Sequence, residues 1–157
     1  MKKAFTMIEL VFVIVIIGIL ASLAIPKLAA NRIDAEASMC ELEVSQFSRE
    51  LINYYTLKGH TEFINVLVSK LTNINILSNS PNFITGIVSD GYIVNDIIYK
   101  CDNVKLASFK YYLDNSLSKY VLVMQVYTGS TPASSLAYNI LKRSFNIDAN
   151  TGKYYVF

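Results

Sequence analysis

The sequence predicts an α+β fold in which one long N-terminal helix lies on a small antiparallel sheet. Three observations lead to this prediction. Residues 10–25 are uncharged, and twelve of these sixteen residues are Leu, Val, Ile or Phe, as in an apolar helix. Helical periodicity then continues as far as Gly59. Beyond it lie three strand-like runs, the last of them strongly β-branched.

Length and composition indicate one domain with a membrane segment. The chain has 157 residues and is 53% hydrophobic, with the apolar excess concentrated before Pro26. Without Lys2 and Lys3, the 14 basic residues fall to 12 and balance the 12 acidic ones, so charge does not indicate a nucleic acid partner. The two cysteines lie 61 positions apart without a CxxC motif, which argues against zinc and thioredoxin-like sites.

The apolar segment is predicted to be a retained membrane anchor. Residues 5–25 form a helix of about 31 Å, enough to cross a hydrocarbon core of about 30 Å. A secretory signal has an apolar core of about 7–15 residues followed by a cleavage site. Here the helical pattern continues beyond Pro26 instead.

The outer half of the same helix is amphipathic. Its apolar residues recur at helical steps and form one stripe, which should face the sheet: Ile33, Cys40, Val44, Phe47, Leu51 and Tyr54. We expect a bend at Pro26. Gly18 is a second weak point, costing about 1 kcal/mol relative to Ala. Gly59 should end the helix.

Local signals assign the remaining segments. Thr131 and Pro132 are expected to cap and begin a helix. In chain order, the assignments are a short helix (61–71), mostly loop (72–91), three strands (92–100, 104–113 and 119–127), a helix (131–143) and a hairpin over 144–157 turning at 150–152.

Glu9 is an unusual residue at the edge of the apolar run. An unpaired carboxylate at the bilayer centre costs roughly 2.5–3.5 kcal/mol on insertion scales. Either its side chain reaches back to the membrane interface, or a partner charge meets it. The residues themselves leave both interpretations open.

Residues 5–26, FTMIELVFVIVIIGILASLAIP, resemble the N-terminus of type IV pilins and type II secretion pseudopilins. The family pattern is a short basic leader, a small residue, Phe, Thr, a glutamate fifth from the new N-terminus, and an apolar helix with Gly and Pro at set places. The matching positions are Lys2, Lys3, Ala4, Phe5, Thr6, Glu9, Gly18 and Pro26. The family usually has Gly where this chain has Ala4.

The resemblance implies cleavage between Ala4 and Phe5 by the prepilin peptidase, followed by methylation of the new amine. That α-ammonium has an ordinary pKa near 8 and would lie four residues from Glu9. Pairing the two charges in a low dielectric offsets much of their desolvation cost. Glu9 then becomes the charge that guides assembly.

The resemblance also implies the organisation of the chain and its partners. We expect a cleaved leader (1–4), a transmembrane and filament-core helix (5–26), its amphipathic continuation (27–58) and a globular head (59–157). The partners would be other pilin-like subunits, identical or different, and an inner-membrane assembly platform. The protein would cross the inner membrane once, with the head in the periplasm.

Three further sites carry weaker signals. Cys40 and Cys101 would form a disulfide after translocation, or remain two buried thiols. Asp148 and Asn150 match a calcium loop faintly, as in some pseudopilins, but a plain β-turn is the favoured interpretation. His60 is expected to be a solvated turn residue.

Two function classes follow from these observations. The first is a structural subunit of a filament serving secretion, adhesion, motility or DNA uptake. Because Cys101 lies 56 residues from the end, a pseudopilin or minor pilin is favoured over a major pilin. The alternative is a single-pass periplasmic binding protein with an uncleaved anchor. No nucleophile–base pair, phosphate loop or metal cluster is recognisable, so we predict neither an enzyme nor a cofactor.

Overall fold

The computed structural model describes residues 5–74, 76–78, 88–89, 92–93, 97–147 and 152–157. It divides into two compact units, Met1–Ala35 and Glu36–Phe157, which are described separately below. The helices are α1 (Met7–Asn65), α2 (Val68–Leu71) and α3 (Pro132–Phe145). The strands are β1 (Leu77–Ser78), β2 (Val88–Ser89), β3 (Tyr92–Ile93), β4 (Ile97–Cys101), β5 (Val104–Asp114), β6 (Lys119–Val126) and β7 (Lys153–Val156).

The first unit consists of the beginning of α1. Every residue from 7 to 35 is exposed except Ala21 and Ile33, which are half-exposed. Gly18 and Pro26 both lie inside α1, and Gly59 is the residue at which its backbone angles cease to be helical. Neither Gly18 nor Pro26 therefore ends the helix, and the bend predicted there stays a prediction.

In the second unit α1 packs on the sheet through the predicted stripe from Cys40 onward, whereas Ile33 lies in the first unit and is half-exposed. Cys40, Val44, Phe47 and Leu51 are buried, and Tyr54 is half-buried against the core. The Phe47 ring meets the edge of Phe109 on β5, with ring centroids 4.9 Å apart. A helix with one apolar stripe gains stability by covering such a sheet face. The predicted α+β fold is confirmed.

Gly59 interrupts α1, as predicted, but a further helical turn follows it. Its φ of 74° and ψ of −179° lie in a region open essentially only to glycine. This turn of the chain brings Phe63 back against Tyr55, with ring centroids 5.3 Å apart, and against Tyr111 at 4.8 Å. Phe63 is fully buried. The predicted helix over 61–71 is thus the end of α1 together with α2.

We expect Gly59→Ala to destabilise the second unit by about 1–3 kcal/mol. A Cβ at this position would meet nothing within 4 Å, so the loss would come from the backbone angles alone. Thermal unfolding of the detergent-solubilised chain, followed by tyrosine near-UV circular dichroism, measures the effect. Lys58→Ala, at the preceding exposed helical residue, is the matched control and should be neutral within about 0.5 kcal/mol. Equal stability of the two variants would contradict the strained geometry.

The sheet has the strand order β1-β4-β5-β6-β7 among the described residues, and every neighbouring pair is antiparallel. A two-residue turn joins β4 to β5, with Asp102 and Asn103 at φ 51° and 61°, as tight hairpin turns require. After β5 the Asp114 carboxylate accepts hydrogen bonds from Ser116, which lower the pKa of Asp114. The strands predicted at 104–113 and 119–127 are confirmed within one residue.

One strand prediction differs from the structure: the predicted strand over 92–100 is found as β3 and β4, with residues 94–96 outside the described part. The segment predicted as mostly loop, 72–91, contains β1 and β2, each two residues long, and its residues 75, 79–87 and 90–91 also lie outside the described part.

Helix α3 begins as predicted at Pro132, after Thr131. The Thr131 Oγ1 accepts a hydrogen bond from the backbone of Ser134, and Ser134 bonds back to Thr131, which completes a capping box. Asn146 ends the helix in the left-handed conformation. Helix α3 contacts β5 and β6.

The hairpin predicted over residues 144–157 is wrong. Ser144 and Phe145 finish α3, and β7 pairs with β6 through Val121 opposite Val156. Strand β6 has a free edge with which β7 can form hydrogen bonds. Residues 144–147 cannot serve as that partner, because they finish and follow helix α3. Most of the predicted turn, residues 150–151, lies outside the described residues.

Candidate functional site

The N-terminal end of α1 is closed by Thr6 and Glu9. The backbone N–H and the hydroxyl of Thr6 donate to Glu9 Oε2 at 2.8 and 2.7 Å, and the Glu9 N–H donates to Thr6 Oγ1 at 3.3 Å. This reciprocal arrangement is a capping box, which satisfies backbone donors left free at a helix start. This role of Thr6 was not predicted, although a Thr-x-x-Glu pattern before an apolar run indicates it.

The Glu9 carboxylate is exposed at the edge of the apolar helix surface. With Phe5, Ile8, Phe12 and Val13 it lines an open hollow on this end of α1. Within one chain, the Glu9 carboxylate therefore has a local hydrogen-bond partner in Thr6. It also lies next to the exposed apolar side chains of Phe5, Ile8, Phe12 and Val13, which another apolar helix could contact. Ala4, on the other side of the predicted cleavage point, lies outside the described residues.

The exposed apolar surface of α1 has no protein partner within the first unit. Among the described residues, α1 is the one helix long and apolar enough to cross a membrane, judged by length and composition. None of its most apolar eighteen-residue window is buried, unlike the core helix of a soluble protein. An exposed apolar surface of this extent is typical of contact with lipid or with other apolar helices.

In the second unit a disulfide joins Cys40 on α1 to Cys101 at the end of β4. Their Cα atoms are 5.8 Å apart, across a sequence separation of 61 residues. Of the two alternatives left by the sequence, a bridge or two free thiols, the structure contains the bridge. Helix and sheet are thereby covalently joined at the middle of α1.

A hydrogen bond beside the bridge ties the same two elements. The Tyr99 hydroxyl on β4 donates to Glu43 Oε2 on α1 at 2.6 Å. Burial, then the hydrogen bond to Glu43 and the charge of that carboxylate, raise the pKa of Tyr99. Its hydroxyl therefore stays protonated and remains a donor. Glu43 lies three residues from Cys40, and Tyr99 two residues from Cys101, so the two ties are adjacent.

His60 is not the solvated turn residue that the sequence suggested. It is half-buried, with its ring stacked on Tyr120 at a centroid distance of 3.9 Å. Its Nδ1 lies 2.9 Å from the hydroxyl oxygen of Tyr111, a buried residue on β5. Gly59 turns the chain directly before it, and this places the imidazole in an aromatic cluster, where packing rather than solvation decides its position.

The faint calcium loop at Asp148 and Asn150 lies outside the described residues. Within the part of the chain that the structure describes, no group of three or more His, Cys, Asp or Glu side chains could hold a metal ion.

Residues 1–25 match the model of the prokaryotic N-terminal methylation motif. No curated protein and no solved structure matches the chain. The matched segment contains the Thr6–Glu9 cap and most of the exposed apolar helix described above. The motif implies processing by a prepilin peptidase and assembly with other pilin subunits, and with the apolar helix it fits a membrane-anchored pilin. The chain thus carries, at residues 1–25, the N-terminal signature of type IV pilins and pseudopilins.

Proposed function

We propose that this protein is a structural subunit, a pseudopilin or minor pilin, of a type II secretion or type IV pilus-like filament. It polymerises through its apolar N-terminal helix and carries out no catalysis of its own. The observation that carries the proposal is the exposed apolar surface of α1, with the Glu9 carboxylate at its beginning. The methylation motif supports the same function.

The exposed surface has two environments in this proposal. Before assembly the lipid bilayer covers it, and in the filament the apolar helices of neighbouring subunits cover it. Both environments remove the same side chains from water. When a subunit moves from the bilayer into the filament, its buried apolar area therefore changes little. Charge at the helix start is then one term that favours the filament where hydrophobicity does not.

Glu9 supplies that charge. Cleavage after Ala4 leaves an α-ammonium on Phe5, and Glu9 lies in an open apolar hollow with Ile8, Phe12 and Val13 that a neighbouring subunit could approach. In a stack of helices the amine of one subunit meets the carboxylate of the next. An oppositely charged partner offsets the desolvation that each ion suffers in an apolar surrounding.

The proposed location follows from the charges at the start of the chain. Lys2 and Lys3 stay in the cytoplasm under the positive-inside bias, although Lys27 and Arg32 weaken that signal. The anchor crosses the inner membrane once, and the head lies in the periplasm. The bridge between Cys40 and Cys101 supports that compartment, because disulfides persist where thiols are oxidised.

N-terminal processing tests the proposal. In cells with an active prepilin peptidase, the membrane-purified protein should begin at Phe5 and be heavier by one methyl group, as intact-mass spectrometry measures. Ala4→Gly is the matched control and should be processed at least as fast. Phe5 should be the mature N-terminus in both.

An independent binding protein with an uncleaved anchor predicts the opposite result. Such a protein has no use for a processed amine and would retain residues 1–4. If the mature membrane pool kept these residues while the Ala4→Gly variant was cleaved, the filament function would be rejected for the parent chain.

A further inference from the structure

Both cysteines of the bridge are buried in the core of the second unit. Cys40 is 6% exposed and Cys101 is 1% exposed. On α1, Ala37 and Val44 lie one turn to either side of Cys40, and both are fully buried. On β4 Tyr99 is buried beside Cys101 and bonded to Glu43. A reagent would have to separate α1 from β4 to reach either sulfur.

Thiol–disulfide exchange requires such access. A disulfide forms when a thiolate attacks a sulfur of another disulfide, and the mixed disulfide is then resolved by a second thiolate. Each of these attacks needs an open approach to a sulfur atom. The packed second unit offers none at Cys40 or Cys101, whether the bond is to be made or broken.

We infer that the bridge is made before α1 packs on β4, by a disulfide-donating oxidant, and that packing then seals it. One cysteine thiolate attacks the oxidant's disulfide and releases one thiolate of the oxidant. The other cysteine attacks the mixed disulfide, which forms the Cys40–Cys101 bond and releases the second thiolate. Two electrons pass to the oxidant, and the two thiol protons end on its reduced dithiol.

The local structure around Cys101 suits this order. Cys101 is the last residue of β4 and pairs with Val104 across the two-residue turn at Asp102 and Asn103. A hairpin of this kind forms locally, within about 1–10 μs. The hairpin that carries Cys101 thus forms faster than the contact with Cys40, which lies 61 residues earlier in the chain.

The inference assigns the bridge a permanent structural role instead of a redox-sensing one. It concerns only the second unit and does not depend on the filament function. In a filament subunit, oxidation would come after translocation and before assembly. A reductant acting on the folded protein would leave the bridge intact.

Denaturant-dependent reduction tests the inference on the full-length oxidised protein in detergent. The protein is incubated with dithiothreitol at increasing urea, and free thiols are trapped with a maleimide that shifts the gel mobility. We expect no labelling without urea over several hours, and a labelled fraction that follows the unfolding curve from near-UV circular dichroism. Leu57→Cys, at a position 81% exposed, is the control and should be labelled at once without urea.

A second experiment measures formation of the bridge instead of its reduction. Protein reduced in urea is either transferred to native conditions before oxidised glutathione is added, or oxidised while still in urea. We expect bridge formation to be at least tenfold slower in the folded sample. Equal oxidation rates in the two samples, with the reduced protein showing the parent's near-UV spectrum under native conditions, would overturn the inference. So would full labelling of both cysteines in native protein with an unchanged near-UV spectrum.

Discussion

Replacing Cys40 and Cys101 together by serine is expected to lower the free energy of unfolding of the second unit by about 4 kcal/mol. The bridge closes a loop of 61 residues, and the chain-entropy model assigns roughly this value to a closure of that length. Small domains have about 5–15 kcal/mol of stability in total, so the loss is a large fraction. Urea unfolding of the detergent-solubilised protein, followed by tyrosine near-UV circular dichroism, gives the value.

The single variant Cys40→Ser is the matched control for this result. The single and the double variant lose the same disulfide bond, so their free energies of unfolding should fall by nearly the same amount. The effects of the two substitutions are then strongly non-additive. A nearly silent Cys40→Ser variant would contradict a bridge in the native protein. In that case alkylation in denaturant without reductant would label both cysteines of periplasm-derived protein.

Glu9→Ala is expected to leave membrane insertion intact and to reduce filament assembly by more than about a hundredfold. Insertion is preserved because the segment becomes more apolar. Assembly is lost because the neighbour's α-ammonium no longer has its partner, and removing one member of a buried ion pair costs about 3–5 kcal/mol. Each 1.4 kcal/mol is a factor of ten in the equilibrium constant. The ratio of subunit in sheared filaments to subunit in membranes measures the effect.

The capping box requires two controls, since Glu9→Ala also removes the acceptor of the Thr6 hydrogen bonds. Glu9→Gln keeps an acceptor at the third helical position but removes the charge, so it should fail as Glu9→Ala does. Thr6→Val removes the hydroxyl and keeps the charge, so it should assemble almost as the parent does. Normal assembly of Glu9→Gln together with failure of Thr6→Val would assign Glu9 to helix capping and reject the charge pair.

Features that depend on neighbouring residues could be predicted from the sequence. The buried stripe of α1 follows from apolar residues spaced at helical intervals, and Thr131 with Pro132 marks the start of α3. The interruption at Gly59 follows from a residue that alone tolerates the backbone angles found there. Thr6 and Glu9 form a further pair of this kind, since their capping pattern is complete within four residues.

The sequence by itself determined the apolar helix, its amphipathic continuation and the methylation motif, because each depends only on residues close together in the chain. Only the tertiary structure decided that Cys40 and Cys101 are bonded, that β7 joins β6, and that His60 stacks on Tyr120. Each of these contacts joins residues separated by tens of positions. Their free energy depends on closing long loops and on competing for one sheet edge or one space in the core, and local periodicity carries no information about that competition.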